Sequence, residues 1–224
     1  MGRILENSIR FPHLLRAEIL DGLDASFKKA FLNKCVVKVY AKPTVILEQG
    51  EHAFGMILIA HGYVDISFIG EGGQHMFLAR AKAGDALGET ETISEEPCAA
   101  SGETSANTTI LYCAGPNLGT ALQNPGFIKN LTKISYKRLV YDNWVKHNAQ
   151  FGDVGQRLRG YLYILSGKAD RIRETQSYLA NVVGCSRQTI NRELAVLRAE
   201  GLIAQRGSEI EILDRKALGR GLDA

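Results

Sequence analysis

Polar side chains near position 190 carry the most specific chemistry in the sequence. Arg187, Gln188 and Asn191 fall in the first turns of a predicted helix, and Arg192 follows one step around it. Arginine, glutamine and asparagine can each form two hydrogen bonds with the edge of a guanine or an adenine. The chemistry predicted here is therefore the reading of DNA bases rather than the making or breaking of bonds.

Two short helices are predicted to position these side chains. Thr175 is expected to cap the first helix, Gly184 to break it, and Ser186 to cap the second. The residues expected to face inward are Tyr178, Leu179 and Val182 on the first helix and Ile190, Leu194 and Leu197 on the second. Two helices joined by a turn that contains glycine form a helix-turn-helix. After Gly201, the runs LIAQ and EIEIL predict a two-stranded wing. The alternative is an αα-hairpin with incidental polar residues on its surface.

The chain before these helices predicts a β-domain and a long helix. Short β-branched or apolar runs lie between Cys35 and Tyr112 and are separated by glycine-bearing turns, which indicates a sandwich, jelly roll or barrel. A helix is predicted over Leu14 to Phe31, before this domain. At QFGDVG the sequence predicts a hinge, with Asp153 capping a helix from Gln156 to Ser166.

A stripe of residues after Pro125 predicts a helix packed lengthwise on a partner. Its members are spaced alternately four and three apart: Phe127, Leu131, Ile134, Arg138, Tyr141, Val145 and Asn148. This spacing fits the seam of a dimer. A helix packed on its own β-domain would give a similar stripe, so that alternative stays open.

Composition and charge narrow the function classes. A chain of 224 residues with 45% hydrophobic residues is typical of two globular domains. Residues 1–150 hold 15 Lys and Arg against 15 Asp and Glu, whereas residues 151–224 hold 12 against 9, so the net charge of +3 lies in the C-terminal third. No apolar run predicts a membrane span and no signal peptide is visible, so a cytoplasmic location is expected.

Cysteines and candidate catalytic groups give no enzymatic or metal signature. Four scattered cysteines without a CxxC pair (Cys35, Cys98, Cys113 and Cys185) argue against a zinc ribbon or an iron-sulphur cluster. No Ser/His/Asp order, paired carboxylate motif or Walker loop supports catalysis. The chain is therefore not expected to be an enzyme, and no cofactor is predicted.

The segment VVGCSRQTINRELAVLRAEGLI resembles the recognition helix-turn-helix of the cyclic-AMP receptor protein/FNR (CRP/FNR) family of bacterial regulators. The resemblance covers nearly the whole chain. It implies an α+β fold with a jelly-roll, cyclic-nucleotide-binding-like β-roll over residues 1–125, a dimerisation helix and hinge over 126–150, and a winged helix-turn-helix over 151–224. It also implies a homodimeric transcriptional regulator that binds double-stranded DNA. If the regulator activates transcription, the resemblance implies that it also binds RNA polymerase.

The resemblance also assigns roles to single residues in the helix-turn-helix. Arg187, Gln188 and Arg192 stand on base-reading positions. The positions that hold phosphates are occupied by Thr175, Cys185, Ser186 and Thr189. Where the cyclic-AMP receptor protein has glutamate, this chain has Gln188, and glutamine can also pair with adenine. The base preferred at that step is therefore open.

The sensor end departs from the members that bind cyclic AMP. Those members use a Gly-Glu turn, an Arg-Ser pair about ten residues later, and a Thr-Ser pair on the long helix. The corresponding residues here are Gly88 and Glu89, then Cys98 and Ala99, then Tyr141 and Asp142. Loss of the arginine removes a charge-assisted bond to phosphate of roughly 1.5 to 3 kcal/mol. The effector is thus predicted to be something other than cyclic AMP, and its identity is unknown.

Three alternatives remain at this point. The protein could be a member of the family that needs no effector, or a cysteine (Cys98 or Cys113) could act as a redox switch. In a different class, the chain could be a small-molecule-binding or catalytic β-barrel with an accessory helical tail and no specific DNA binding.

Overall fold

The structure, a computed structural model, describes residues 6–72, 75–166 and 171–219. The chain divides into two compact units, residues 1–135 and 136–224. Within the described ranges, no helix combines the length and the apolar character that a membrane span requires. The two units contain different kinds of secondary structure, a β-roll in the first and mostly helices in the second.

Within its described residues, the first unit is built of eight antiparallel strands. In chain order they are β1 (Val36–Tyr40), β2 (Val45–Leu47), β3 (Gly55–His61), β4 (Tyr63–Ile69), β5 (His75–Lys82), β6 (Ala86–Leu87), β7 (Ser101–Thr104) and β8 (Thr108–Ala114). They form two four-stranded sheets, ordered β1-β8-β3-β6 and β2-β7-β4-β5. Strand β3 is apolar and buried from Gly55 to Ala60, as expected of a strand covered on both faces. The short apolar runs predicted a sandwich, jelly roll or barrel, and the resemblance implied a β-roll; this sheet-rich fold is confirmed.

Helices cover one face of the first sheet. They are α1 (Asn7–Arg10), 3-10 turns at Pro12–Arg16 and Glu18–Leu20, α2 (Ala25–Lys34), α3 (Glu89–Ser94), α4 (Gly115–Ala121) and the start of α5 (Pro125–Phe151). The single helix predicted from Leu14 to Phe31 is wrong, because the chain there makes two 3-10 turns before α2 begins. Gly22, between them and α2, has a φ of +66°, which a continuous right-handed helix cannot include.

The first turns of α5 belong to the core of the first unit. Phe127 is fully buried, and its ring centroid lies 5.3 Å from that of Phe31. Leu131 and Ile134 are partly buried against the same apolar cluster. Asn130 donates hydrogen bonds to the backbone oxygens of Ile19 at 3.2 Å and Asp21 at 2.7 Å. These contacts fix the start of α5 on the β-roll.

This packing corrects the predicted dimer seam. Phe127, Leu131 and Ile134 face the core of their own unit, which is the alternative that the spacing had left open. Further along α5, Arg138 is exposed and Tyr141 is half-buried. The side chains of Val145 and Asn148 lie outside the described residues. The heptad spacing therefore does mark an apolar stripe, but residues of the same chain cover its first half.

In its described residues, the second unit contains the second half of α5, further helices and a small sheet. After the end of α5 come α6 (Val154–Ser166), β9 (Arg171–Arg173), α7 (Gln176–Val183), α8 (Arg187–Ala199), β10 (Ile203–Arg206), β11 (Glu209–Ile212) and α9 (Arg215–Leu218). The sheet is antiparallel with the order β10-β11-β9. The wing predicted with two strands thus has a third, β9, whose three residues were too short a run to predict.

A pair of hydrogen bonds between Asp153 and Gln156 defines the start of α6. The backbone N–H of Gln156 donates to Asp153 Oδ1 at 2.7 Å, and the N–H of Asp153 donates to Gln156 Oε1 at 3.0 Å. This reciprocal pair is a capping box, which satisfies two backbone donors at a helix start. The predicted cap at Asp153 is confirmed, and α6 begins two residues earlier than predicted.

Candidate nucleic-acid interface

Side-chain caps define the turn between α7 and α8. Thr175 Oγ1 accepts a hydrogen bond from the N–H of Tyr178 at 3.1 Å, and Ser186 Oγ accepts one from the N–H of Thr189 at 3.1 Å. Gly184 ends α7 with a φ of +70°, a left-handed conformation that glycine adopts without strain. The two caps and the break predicted from the sequence are confirmed.

Apolar side chains hold the two helices together. On α8, Ile190, Leu194 and Leu197 are almost completely buried, as predicted. On α7, Tyr178 and Leu179 are buried as predicted, but Val182 is only half-buried and the neighbouring Val183 faces the core instead. With its apolar face occupied, α8 turns its other face to solvent.

The exposed face of α8 carries the predicted base-reading side chains. Arg187, Gln188 and Arg192 are all exposed. Arg187 Nε lies 3.5 Å from Gln176 Oε1, and Arg192 Nε lies 3.3 Å from Glu193 Oε1. Exposed contacts of this kind contribute little free energy because water screens them. Both guanidinium groups can therefore exchange these contacts for the edge of a base at small cost.

Four residues predicted to hold phosphates lie at the N-terminal ends of α7 and α8. Thr175 and Ser186 are exposed, and Cys185 and Thr189 are half-exposed. The hydroxyl oxygens of Ser186 and Thr189 lie 2.9 Å apart. A capping hydroxyl that accepts a backbone hydrogen bond still has its own proton to donate. Since a helix N-terminus also attracts anions, both ends are suited to DNA phosphates.

A half-buried arginine that the sequence did not point to supports this surface. Arg157 Nε donates to the backbone oxygen of Val183 at 2.9 Å, and its Nη1 donates to that of Gly152 at 3.0 Å. Its two acceptors lie at the end of α7 and just before α6. The spacing of Arg157 on an amphipathic helix gave no signal of this role, because both partners are backbone atoms.

A pair of buried tyrosines also joins α6 to α7. The hydroxyl of Tyr161 donates to that of Tyr178 at 2.8 Å. Burial, followed by the contact with Tyr178, raises the pKa of Tyr161 above its ordinary value. The Tyr161 hydroxyl therefore stays neutral, and the pair stabilises the packing rather than adding charge.

The wing carries arginines next to glutamates. Arg173 Nε donates to Glu209 Oε2 at 2.8 Å, and this hydrogen bond holds the pKa of Glu209 below its ordinary value. Gly207, with a φ of +60°, makes the tight turn between β10 and β11. Arg206 is exposed beside this turn. The positive charge of β9 is thus partly neutralised, while the tip of the wing presents Arg206.

The predicted effector residues fall in both units. In the first unit, Gly88 has a φ of +74° and a Cβ there would lie 3.2 Å from the backbone oxygen of Gly55. Glu89 is fully buried, Cys98 is buried and Ala99 is exposed. Because of burial, the pKa of Cys98 is raised. These observations fit Gly88 and Glu89 as a turn that the fold requires.

The other two predicted effector residues, Tyr141 and Asp142, lie in the second unit. Burial and the neighbouring carboxylate of Asp142 raise the pKa of Tyr141 to about 12. Its hydroxyl group is therefore protonated at neutral pH.

A cavity of about 310 Å³ opens in the first unit beside Cys98. Its charged lining consists of Lys38, Glu48 and Glu51, with His52 alongside. The Lys38 ammonium lies 4.2 Å from the centroid of the Tyr112 ring. Of the predicted effector residues, only Cys98 lines this cavity.

Comparisons with known proteins match both units. A model of the Crp-like helix-turn-helix domain matches residues 156–220, and a model of the cyclic nucleotide-binding domain matches residues 37–124. The cAMP-activated global transcriptional regulator CRP of Salmonella typhimurium is 28% identical over 193 residues, covering 81% of this chain and 91% of that protein.

Two solved structures share the fold. A mutant of CooA from Carboxydothermus hydrogenoformans is 18% identical, covers 93% of this chain and 94% of its own, and has a TM-score of 0.69. The c-di-GMP responsive global regulator CLP of Xanthomonas campestris is 22% identical, covers 85% of this chain and 100% of its own, and has a TM-score of 0.65. The fold of this chain is therefore shared over most of its length with these two structures.

Proposed function

Because the chain belongs to the CRP/FNR family of DNA-binding transcriptional regulators, we propose that it works as a homodimer on a two-fold symmetric DNA site, under an effector other than cyclic AMP. Members of this family are regulators and not enzymes. The observation that carries the proposal is α8, with its buried apolar face and its exposed Arg187, Gln188 and Arg192. An α-helix with these residues in its first turns fits the major groove of DNA.

The contacts divide into two kinds. Arg187, Gln188 and Arg192 would read base edges, while the hydroxyl groups and N–H groups at the starts of α7 and α8 would bind phosphates. Phosphate contacts fix the position of the protein on the duplex, and base contacts select the sequence. This division supports sequence-specific rather than general binding.

The exposed side of α5 supports a dimer. Ile128, Tyr136 and Leu139 are 44%, 65% and 55% exposed, although all three are large and apolar or aromatic. At about 100° per residue, they lie on one side of the helix, away from the direction of Phe127. A stripe of this kind can pack against the same stripe on a second copy of the chain. We therefore place the dimer surface on this stripe in place of the predicted seam.

The first expected result comes from selection of DNA sites from a random duplex pool. The recovered sites should have two-fold symmetry, with half-sites about 34 to 36 Å apart, since a symmetric dimer presents two α8 helices. The protein should sediment as a dimer under the same conditions. Recovery of single asymmetric half-sites by a monomer would contradict the dimer. If every duplex displaced the bound DNA equally well, binding would be non-specific. That result would instead favour the β-barrel alternative.

The proposal of an effector other than cyclic AMP rests on charge. In the cavity of the first unit, Lys38 stands with two carboxylates, Glu48 and Glu51, among the lining residues. Cys98 and Ala99 occupy the positions of the family's Arg-Ser pair, and neither can neutralise a phosphate. The charge of an anion in this cavity would be poorly neutralised, because the Lys38 ammonium attracts it while the carboxylates of Glu48 and Glu51 repel it.

Cyclic AMP is accordingly expected to leave both stability and DNA affinity unchanged. A ligand that binds only the folded state adds about 2.7 kcal/mol of stability at 100 times its dissociation constant, which a thermal melt detects easily. We expect no shift in melting temperature and no change in DNA titrations at micromolar cyclic AMP. A saturable shift at that concentration would show that the pocket binds the nucleotide after all.

A further inference from the structure

Two of the four cysteines are buried next to each other in the first unit. Cys35 follows the last residue of α2 and precedes β1, and Cys113 lies in β8. Val36 pairs with Tyr112 in the antiparallel register of these strands, so the next pair along is Cys35 with Cys113. Their exposed fractions are 5% and 0%. The two thiols are therefore cross-strand neighbours inside the core.

The two thiols interact directly. The single S–H of Cys35 has two acceptors, the backbone oxygen of Phe31 at 3.3 Å and the sulfur of Cys113. Donation from Cys35 lowers the pKa of the Cys113 thiol, burial acts in the opposite direction, and the nearby Lys34 ammonium lowers the pKa further. The same hydrogen bond and burial raise the pKa of Cys35. Cys113 is thus the thiol of the pair that ionises first.

We propose that Cys35 and Cys113 form a dithiol that hydrogen peroxide oxidises to an intramolecular disulfide. The Cys113 thiolate attacks one peroxide oxygen, the O–O bond breaks, and the departing hydroxide takes up a proton to leave as water. This gives a sulfenic acid on Cys113. The sulfur of Cys35 then attacks that of Cys113, the S–O bond breaks, and the hydroxide leaves with the Cys35 proton as a second water. Two thiols are oxidised, and one peroxide is reduced to two waters.

The surroundings allow the sulfurs to meet. Opposite residues of an antiparallel pair have Cβ atoms about 4.5 to 5.5 Å apart, and a disulfide needs about 3.5 to 4.5 Å. Strand β1 is at the edge of its sheet, so it can move by this amount without displacing another strand. Lys34 and Val36, on either side of Cys35, are exposed, so the backbone next to Cys35 lies at the surface although its thiol is buried.

The position of the pair gives the disulfide a structural effect. Asn7 Nδ2 donates to the backbone oxygen of Cys35 at 2.7 Å, and Asn117 Nδ2, in α4, donates to that of Lys34 at 3.3 Å. Phe31, one turn before Cys35, packs on Phe127 at the start of α5. A shift of Cys35 toward β8 therefore acts on the helices that hold the first turns of α5.

Mass mapping of the whole protein tests the proposal without any variant. Reduced protein is treated with stoichiometric hydrogen peroxide, blocked with an alkylating reagent and digested. The expected product is a peptide pair joined through Cys35 and Cys113, with a loss of two of the four thiols in denaturant. Its yield should not depend on protein concentration, because the bond is within one chain.

Three variants separate this pair from the other cysteines. A chain with both C98S and C185S should still lose two thiols, whereas C113A should lose none to a disulfide. In C35A, Cys113 should instead stop at the sulfenic acid, which dimedone labels. Retention of all four thiols, or a disulfide that uses Cys98 or Cys185, would overturn the proposal. Since the mapping uses the unaltered chain, a variant that fails to fold does not affect this outcome.

Discussion

Replacing Arg187 by alanine is expected to weaken binding to the selected site by about 1 to 3 kcal/mol per half-site and to flatten the preference at one base pair. Arg187 is exposed in the first turn of α8, and among the described residues its Nε lies 3.5 Å from Gln176 Oε1. Its guanidinium group is therefore available for two hydrogen bonds to a base. Fluorescence titrations at one fixed salt concentration, on the selected site and on single base-pair variants, measure the effect.

Matched variants separate base reading from general charge. R198A removes the same charge from the last turn of α8, where Arg198 is exposed, and should change the affinity little. T175A removes a hydroxyl predicted to hold a phosphate and should weaken all sequences to a similar degree. If R187A lost as much affinity on random DNA as on the selected site, α8 would not read bases through Arg187.

Introduction of a charge on the exposed stripe of α5 is expected to give the largest effect on assembly. In L139E, a dimer would bury an uncompensated carboxylate from each copy, at a cost of about 3 to 5 kcal/mol. The dissociation constant of the dimer should rise by roughly two decades or more. Leu139 is 55% exposed within one chain, so the fold of the monomer should not change. Analytical ultracentrifugation over a range of concentrations measures the dissociation constant.

The control for this variant is K133E, which introduces the same side chain on another side of α5. Lys133 is exposed and lies about a third of a turn around the helix from Leu139. We expect K133E to sediment as the unaltered protein and L139E to lose DNA binding together with the dimer. An L139E protein that remains a tight dimer would place the interface elsewhere.

The helix-turn-helix could be predicted in detail because its signals are local. Caps at Thr175 and Ser186, the break at Gly184 and the period of Ile190, Leu194 and Leu197 each depend on residues within a few positions. The same holds for Asp153 before α6. Such signals require no knowledge of distant parts of the chain.

The packing of α5 could not be predicted, because a heptad spacing describes a stripe and not what covers it. The aromatic residues around Phe127, such as Phe27 and Phe31, come from a segment about 100 residues earlier. Likewise, the pairing of Cys35 with Cys113 depends on the register of β1 and β8, which no local pattern contains. The candidate effector residues were matched by resemblance, and the cavity shares only Cys98 with them.

The two hydrogen bonds of Arg157 link the predicted hinge to the end of α7. One guanidinium group holds the carbonyl of Gly152, in the hinge, and the carbonyl of Val183, at the end of α7. Each charge-assisted bond contributes roughly 1.5 to 3 kcal/mol. A rotation of the peptide at Gly152 must therefore break one of these bonds or carry the end of α7 with it. Arg157 therefore couples the backbone at Gly152, in the predicted hinge, to the turn that precedes α8.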